Sequence, residues 1–191
     1  MRKFIFGCLL ALLFTAGLPA QTFTTAPCTG DEGNTSNNWF PGHQERVCEL
    51  RSTTIPVVDG QVSLSGENGG IEVIGEERRD TALEARVIVQ DASREKAESM
   101  EREIKIVTTG TIHAEGPRMF GWSHGGWSVN YRLHVPRRVA AELHTKNGGI
   151  SVGFPITIQG KIRNHIDANI GQGGATLQFE TVNGGVSIHP N

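Results

Sequence analysis

Tyrosine occurs once in this chain of 191 residues and methionine three times, and positive charge is not in excess: 18 Lys and Arg stand against 20 Asp and Glu. With a net charge of -2 and a pI near 6.4, no broad surface is available to neutralise phosphates, which excludes nucleic acid as a partner. Long apolar runs are scarce too. One covers Phe4 to Phe14; it is too short to cross a hydrocarbon layer of roughly 30 Å, and nothing later approaches the roughly 20 apolar residues that a span needs. Catalytic signatures are missing in the same way. There is no nucleophile elbow, no phosphate-binding glycine loop followed by lysine and no paired-carboxylate cluster. Asp167 is the only aspartate of the C-terminal half, which leaves a polysaccharide-cleaving groove short of acids. His43, His113, His124, His134, His144, His165 and His189 stand singly, without the paired spacing of a zinc site. Only His134 and His144, outward on successive strands, are expected to meet. From these absences the chain is expected not to be an enzyme and to use no metal or cofactor.

What is present begins with Met1-Arg2-Lys3, the apolar run and then "TAGLPA", the order of a secretory signal, with cleavage expected after Ala20. The mature chain is then exported, to the periplasm or the cell surface, with no stable membrane span. Removing residues 1–20 takes Cys8 and leaves Cys28 and Cys48, which are expected to pair in an oxidising compartment. Closing that loop disfavours the unfolded chain by about 3 kcal/mol. The segment enclosed is dominated by turn formers, so residues 21–54 are expected to form a disulfide-closed N-terminal unit ahead of a β domain over 55–191.

Twenty-four glycines favour a chain of tight turns over a helical bundle, and the fold class expected is all-β with one surface helix. "ENGGIEVIG" from Glu67, "KNGGISVGF" from Lys146 and "VNGGVSIHP" from Val182 repeat one grammar. Strand-like alternation leads into Asn68-Gly69, Asn147-Gly148 and Asn183-Gly184 and out again. Asn-Gly suits a two-residue type I′ hairpin turn, with positive φ at both central positions. "DASREKAESMEREIKI" supplies the one helix, near 92–103, with Asp91 or Ser93 as its cap, an apolar stripe of Ala97, Met100 and Ile104, and a Glu98–Arg102 pair on a solvated face. "WSVNYRLHVP" places Trp127, Val129, Tyr131, Leu133 and Val135 on a core face until Pro136 ends the strand.

Two surface features invite chemistry. Trp122, His124 and Trp127 flank or occupy the loop "FGWSHGGWS", where indole faces suit stacking on sugar rings or partner side chains. Arg163, His165 and Asp167 recur at two-residue steps and would share one strand face, the pattern of a solvated amphipathic strand.

Taken in order, "GENGGIEVIGEERRDTALEARV", the helix near Glu98, "WSVNYRLHVPRR", "ELHTKNGGISV" and "ETVNGGVSI", with "RVCELRSTTIP" before them, resemble a bacterial adhesin-like family. Its members are exported domains of unknown function with repeated T-x-N-G-G-I-x-V turns. The resemblance covers Cys48 to the end. It implies a β-solenoid-like stack, with a β-sandwich as the alternative, and a surface or periplasmic role without established catalysis. It further implies an unknown surface ligand or envelope protein as partner. The last N-G-G rung, at the C-terminus, is expected to leave a strand edge open to self-association. Two other functions compete with adhesion: a carbohydrate-active enzyme on a β-helix, and a periplasmic protein-interaction domain.

Overall fold

Residues 22–29, 45–118, 125–153, 156–158, 165–170 and 176–189 are described by a computed structural model. Alternation of apolar and polar residues runs through nearly every segment of them, and the elements that result are mainly β. In chain order they are β1 (Thr24–Pro27), β2 (Glu45–Pro56), β3 (Gln61–Asn68), β4 (Ile71–Glu76), β5 (Asp80–Asp91), α1 (Arg94–Glu103), β6 (Lys105–Val107) and β7 (His113–Glu115). Then follow β8 (Gly126–Pro136), β9 (Ala140–Asn147), β10 (Ile150–Gly153), β11 (Ile156–Ile158), β12 (His165–Ile170), β13 (Thr176–Asn183) and β14 (Val186–His189).

Seven strands form one mixed sheet in the order β1-β2-β5-β8-β4-β10-β14, and five form a second in the order β11-β12-β13-β9-β3. The period-two pattern buries one side of each. Leu83, Ala85, Val87, Val129, Leu133, Ile71, Val73, Ile150 and Val152 of the first sheet join Leu64, Leu143, Leu177 and Phe179 of the second in a single core cluster. Burial of such side chains contributes roughly 1.5–3 kcal/mol each, and this apolar interior holds the two sheets together.

The N-G-G segments are corners, not hairpins. Each strand before a corner lies in the five-stranded sheet and each strand after it in the seven-stranded sheet. The strands flanking one corner therefore do not pair with each other. They pair in parallel with their counterparts in the other copies: Asn68 aligns with Asn147 and Asn147 with Asn183, while Ile71 aligns with Ile150 and Ile150 with Val186. Nor do the asparagines adopt the left-handed conformation of a type I′ turn. Among the described residues Asp59 is the only non-glycine with positive φ, and with Gly60 it forms the one turn having φ of 52° and 68° at its two central positions. There Gln61 N–H donates to Val58 O at 3.0 Å. The hairpin chemistry expected at Asn-Gly thus sits at Asp59-Gly60.

β2 runs across residue 54 and pairs antiparallel with β5 from Glu45 to Pro56. The Cys28–Cys48 disulfide, with a Cα–Cα distance of 5.6 Å, fastens β1 to that same strand. The helix starts at its Ser93 cap, whose hydroxyl accepts from Lys96 N–H at 3.4 Å. Its surface ion pair is Arg94–Glu98 at 2.8 Å, one turn earlier than the expected Glu98–Arg102. No described helix is long and apolar enough to cross a membrane.

Candidate functional site

The three corners form a ladder. Gly69 N–H donates to Asn147 O at 2.9 Å and Gly148 N–H to Asn183 O at 3.0 Å, while Ile71 N–H and Ile150 N–H donate to Gly149 O and Gly185 O, both at 2.9 Å. The side chains repeat this contact: Asn147 donates its amide to Asn68 Oδ1 at 2.9 Å, and Asn183 donates to Asn147 Oδ1 at 2.8 Å. Threonine two positions before asparagine closes each junction from within. Thr145 donates to Gly69 O and Thr181 to Gly148 O, at 3.1 and 3.0 Å.

The first glycine of each copy is required by space. A Cβ on Gly148 would lie 2.0 Å from Gly69 O, and one on Gly184 would lie 1.9 Å from Gly148 O. At the first copy, Gly69 (φ +122°) would place its Cβ 2.2 Å from Val129 O. There β8 takes the place of a preceding corner: Tyr131 N–H donates to Gly70 O at 2.9 Å, and Asn130 Oδ1 accepts Gly70 N–H at 2.8 Å. Tyr131 is enclosed beneath, and burial pushes its phenol far above its ordinary pKa.

Beside the corners, on the outer side of the seven-stranded sheet, lies an open groove of about 380 Å³ walled by Leu50, Arg86 and Asn130 and floored by a polar row. Register sets that row across the strands as Glu84, Arg132, Glu72, Ser151 and Ser187. Arg132 donates from Nε to Glu72 Oε2 at 2.7 Å and faces Glu84 Oε2 at 4.0 Å. Such half-exposed pairs contribute about 0–1 kcal/mol; they present alternating charge more than they stabilise. Ser151 also falls within Gly149-Ile150-Ser151-Val152-Gly153, which spells G-x-S-x-G, as does Gly121 to Gly125; a reading that finds no nucleophile elbow passes over both strings. Ser151 sits in mid-strand in β10, without the strand-to-helix turn that exposes a nucleophile, and residues 121–124 lie outside the described residues.

A second polar cluster lies beneath the helix. Arg51 of β2 points inward, donates to Glu49 at 2.6 Å and to the Glu101 backbone oxygen at 3.1 Å, and also meets the Glu101 carboxylate and Ile104 O. It therefore adds a charged donor at the helix C-terminus, where Glu101 O also accepts Ile104 N–H at 3.2 Å. Glu101 is only 8% exposed, so it does not belong to the solvated face. Burial pushes its pKa up; Arg51 opposes that rise and Glu49 adds to it.

The expected His134–His144 contact does not form, because β8 and β9 lie in different sheets. His134 donates to Glu76 at 2.7 Å, and this hydrogen bond, aided by the His134 and Arg78 charges, holds the Glu76 carboxyl below its ordinary range. His144 faces Glu180 at 3.5 Å. Among the described residues no cluster of three His, Cys, Asp or Glu is placed to hold a metal. Trp127 donates its indole N–H to Pro117 O at 2.9 Å and packs half-buried against the core. Trp122, His124 and Arg163 lie outside the described residues. His165 and Asp167 occupy register positions opposite Glu180 and Gln178, and Gln178 in turn aligns with Glu142.

No protein-family model, curated protein or solved structure matches this chain.

Proposed function

We propose that the chain is an exported, non-enzymatic β-repeat protein, a β-solenoid-like stack that presents polar strand faces for adhesion or envelope scaffolding. The in-register ladder of three N-G-G corners carries this reading. A stack of short rungs has few constraints on its outward residues, so it suits display of an extended polar surface. The Cys28–Cys48 disulfide supports an oxidising compartment outside the cytoplasm, as does the charged and apolar order of residues 1–20. The family resemblance drawn from "KNGGISV" and "VNGGVSI" fits the same role, and Trp122, His124 and Trp127 are its ligand candidates. Cell fractionation with protease accessibility tests it: the protein is expected in the periplasmic or surface fraction, and a cytoplasmic protein with reduced cysteines would overturn the proposal.

A carbohydrate-cleaving reading has one observation in its favour. Glu84 and Glu72 lie two strands apart across the groove, a separation of roughly 9–10 Å from strand spacing and compatible with an inverting pair. Both carboxylates instead face the same Arg132. Hydrolysis of a polysaccharide panel that disappears in both Glu72→Gln and Glu84→Gln would favour this reading over display.

A further inference from the structure

We propose that the open side of the third corner, Asn183 to Val186 with the edge of β14, is a docking site for an extended segment of another polypeptide. That segment carries an Asn-Gly-Gly sequence of its own and adds in parallel as a fourth rung. The site is a continuation of the ladder and does not rest on the display role.

Each inner junction uses the same groups. The lower copy supplies N–H from its first glycine and from the residue after its second, and the upper copy supplies carbonyls from its asparagine and second glycine. The upper asparagine donates its side-chain amide downward. At the third copy the corresponding donors are Gly184 N–H and Val186 N–H and the corresponding acceptor is Asn183 Oδ1; none of them has a partner among the described residues. The seven-stranded sheet ends at β14, whereas on the other sheet β13 is already covered by antiparallel β12. Among the described residues, half a rung is thus open and half is closed.

The space agrees with the hydrogen bonds. A Cβ on Gly70 or Gly149 would meet the carbonyl of the next copy's second glycine at 3.4 or 3.3 Å, but one on Gly185 would meet nothing within 4 Å. Val182, beside this corner, is 52% exposed and offers an apolar contact. Strand addition of this kind takes affinity from backbone hydrogen bonds and specificity from the positions between them. Here the corner sets the specificity, since a first-glycine Cβ in the incoming segment would strike Gly184 O, as the inner junctions show. The strand is four residues long and Pro190 follows it, features that limit indiscriminate edge pairing. An antiparallel second copy could pair with β14 but would leave Asn183 and Gly184 unmatched, so the complementarity favours a parallel N-G-G segment.

The test uses the protein and a fluorescent TVNGGVSI peptide, read by anisotropy. Saturable binding is expected, at least tenfold weaker when alanine replaces the first glycine of the peptide and about fivefold weaker when alanine replaces its asparagine, the equivalent of one lost hydrogen bond. Val186→Pro removes one outward N–H without removing a bond to β10, and it is expected to weaken binding about tenfold while the circular dichroism spectrum is retained. Equal binding of the parent and alanine peptides, or no binding of either, overturns the proposal. So does sedimentation of the free protein as a dimer that Val186→Pro converts to monomer, because the occupant would then be a second copy.

Discussion

Asn147 donates its side-chain amide to Asn68 at 2.9 Å across 79 residues of sequence, and the same Asn147 accepts from Asn183 at 2.8 Å. One side chain thus couples three segments that are remote in the chain. Asparagine suits this because its amide carries both donors and an acceptor, so identical residues can stack without reversing polarity.

Gly148→Ala should be far more damaging than Gly185→Ala. The first places a methyl 2.0 Å from Gly69 O and the second meets nothing within 4 Å. Urea unfolding is expected to show a loss of about 3 kcal/mol or more for Gly148→Ala and a change within about 0.5 kcal/mol for Gly185→Ala. Similar losses for both would deny the close approach of the first two corners.

Asn147→Ala deletes two side-chain hydrogen bonds at an exposed position, and the expected loss is about 1–2 kcal/mol. Asn68→Ala deletes one. In a double-mutant cycle the two substitutions are expected to couple by about 0.5–1 kcal/mol; strict additivity would mean that the crossing hydrogen bond contributes nothing.

Arg51→Ala should loosen the helix. It strips the cap from Ile104 O and leaves the Glu101 carboxylate beside Glu49 with its cation gone, for a loss of about 2–4 kcal/mol in thermal unfolding. Restoration of stability by Arg51→Lys would show that charge alone suffices, whereas the several carbonyl and carboxylate contacts predict only partial recovery.

Two glutamates set opposite pH trends. Glu101 has a pKa raised above its ordinary 4.5 by burial, so the native state holds that proton more tightly than the unfolded chain does. Its contribution to stability is full below the ordinary value and is lost as pH rises through the raised one. Glu76, held low by His134, contributes above its ordinary value and loses that contribution as pH falls through the lowered one. Unfolding measured from pH 3 to 8 should flatten on the upper side of 4.5 in Glu101→Gln and on the lower side in Glu76→Gln.

Much of this fold was legible in the chain, and the failures have local causes. The alternation of Trp127 to Val135 identifies a strand, and the repeated N-G-G strings identify where strands end and begin. They do not say which sheet receives each strand, because a hairpin and a stacked corner have the same flanking pattern. Thr145 and Thr181, each two residues before asparagine and fully buried, were the available signal, since a hairpin has no use for a threonine that reaches another copy's carbonyl. Gly66 interrupts that signal, because the first copy packs on Tyr131 instead. Glu101 stands four residues after Ala97 on the apolar stripe, so its burial could have been read from helical spacing. Arg51 could not, since its partners lie about 50 residues away. The groove charges are assembled by register across three strands, which no single stretch of sequence reveals.

Amide hydrogen exchange at the three corners is the most direct measurement. A stacked ladder predicts slow exchange at Gly69, Ile71, Gly148 and Ile150, whose N–H groups donate to the next copy, and fast exchange at Gly184 and Val186 in the free protein. Equal exchange at all three corners would contradict it, because three independent turns would protect their amides alike.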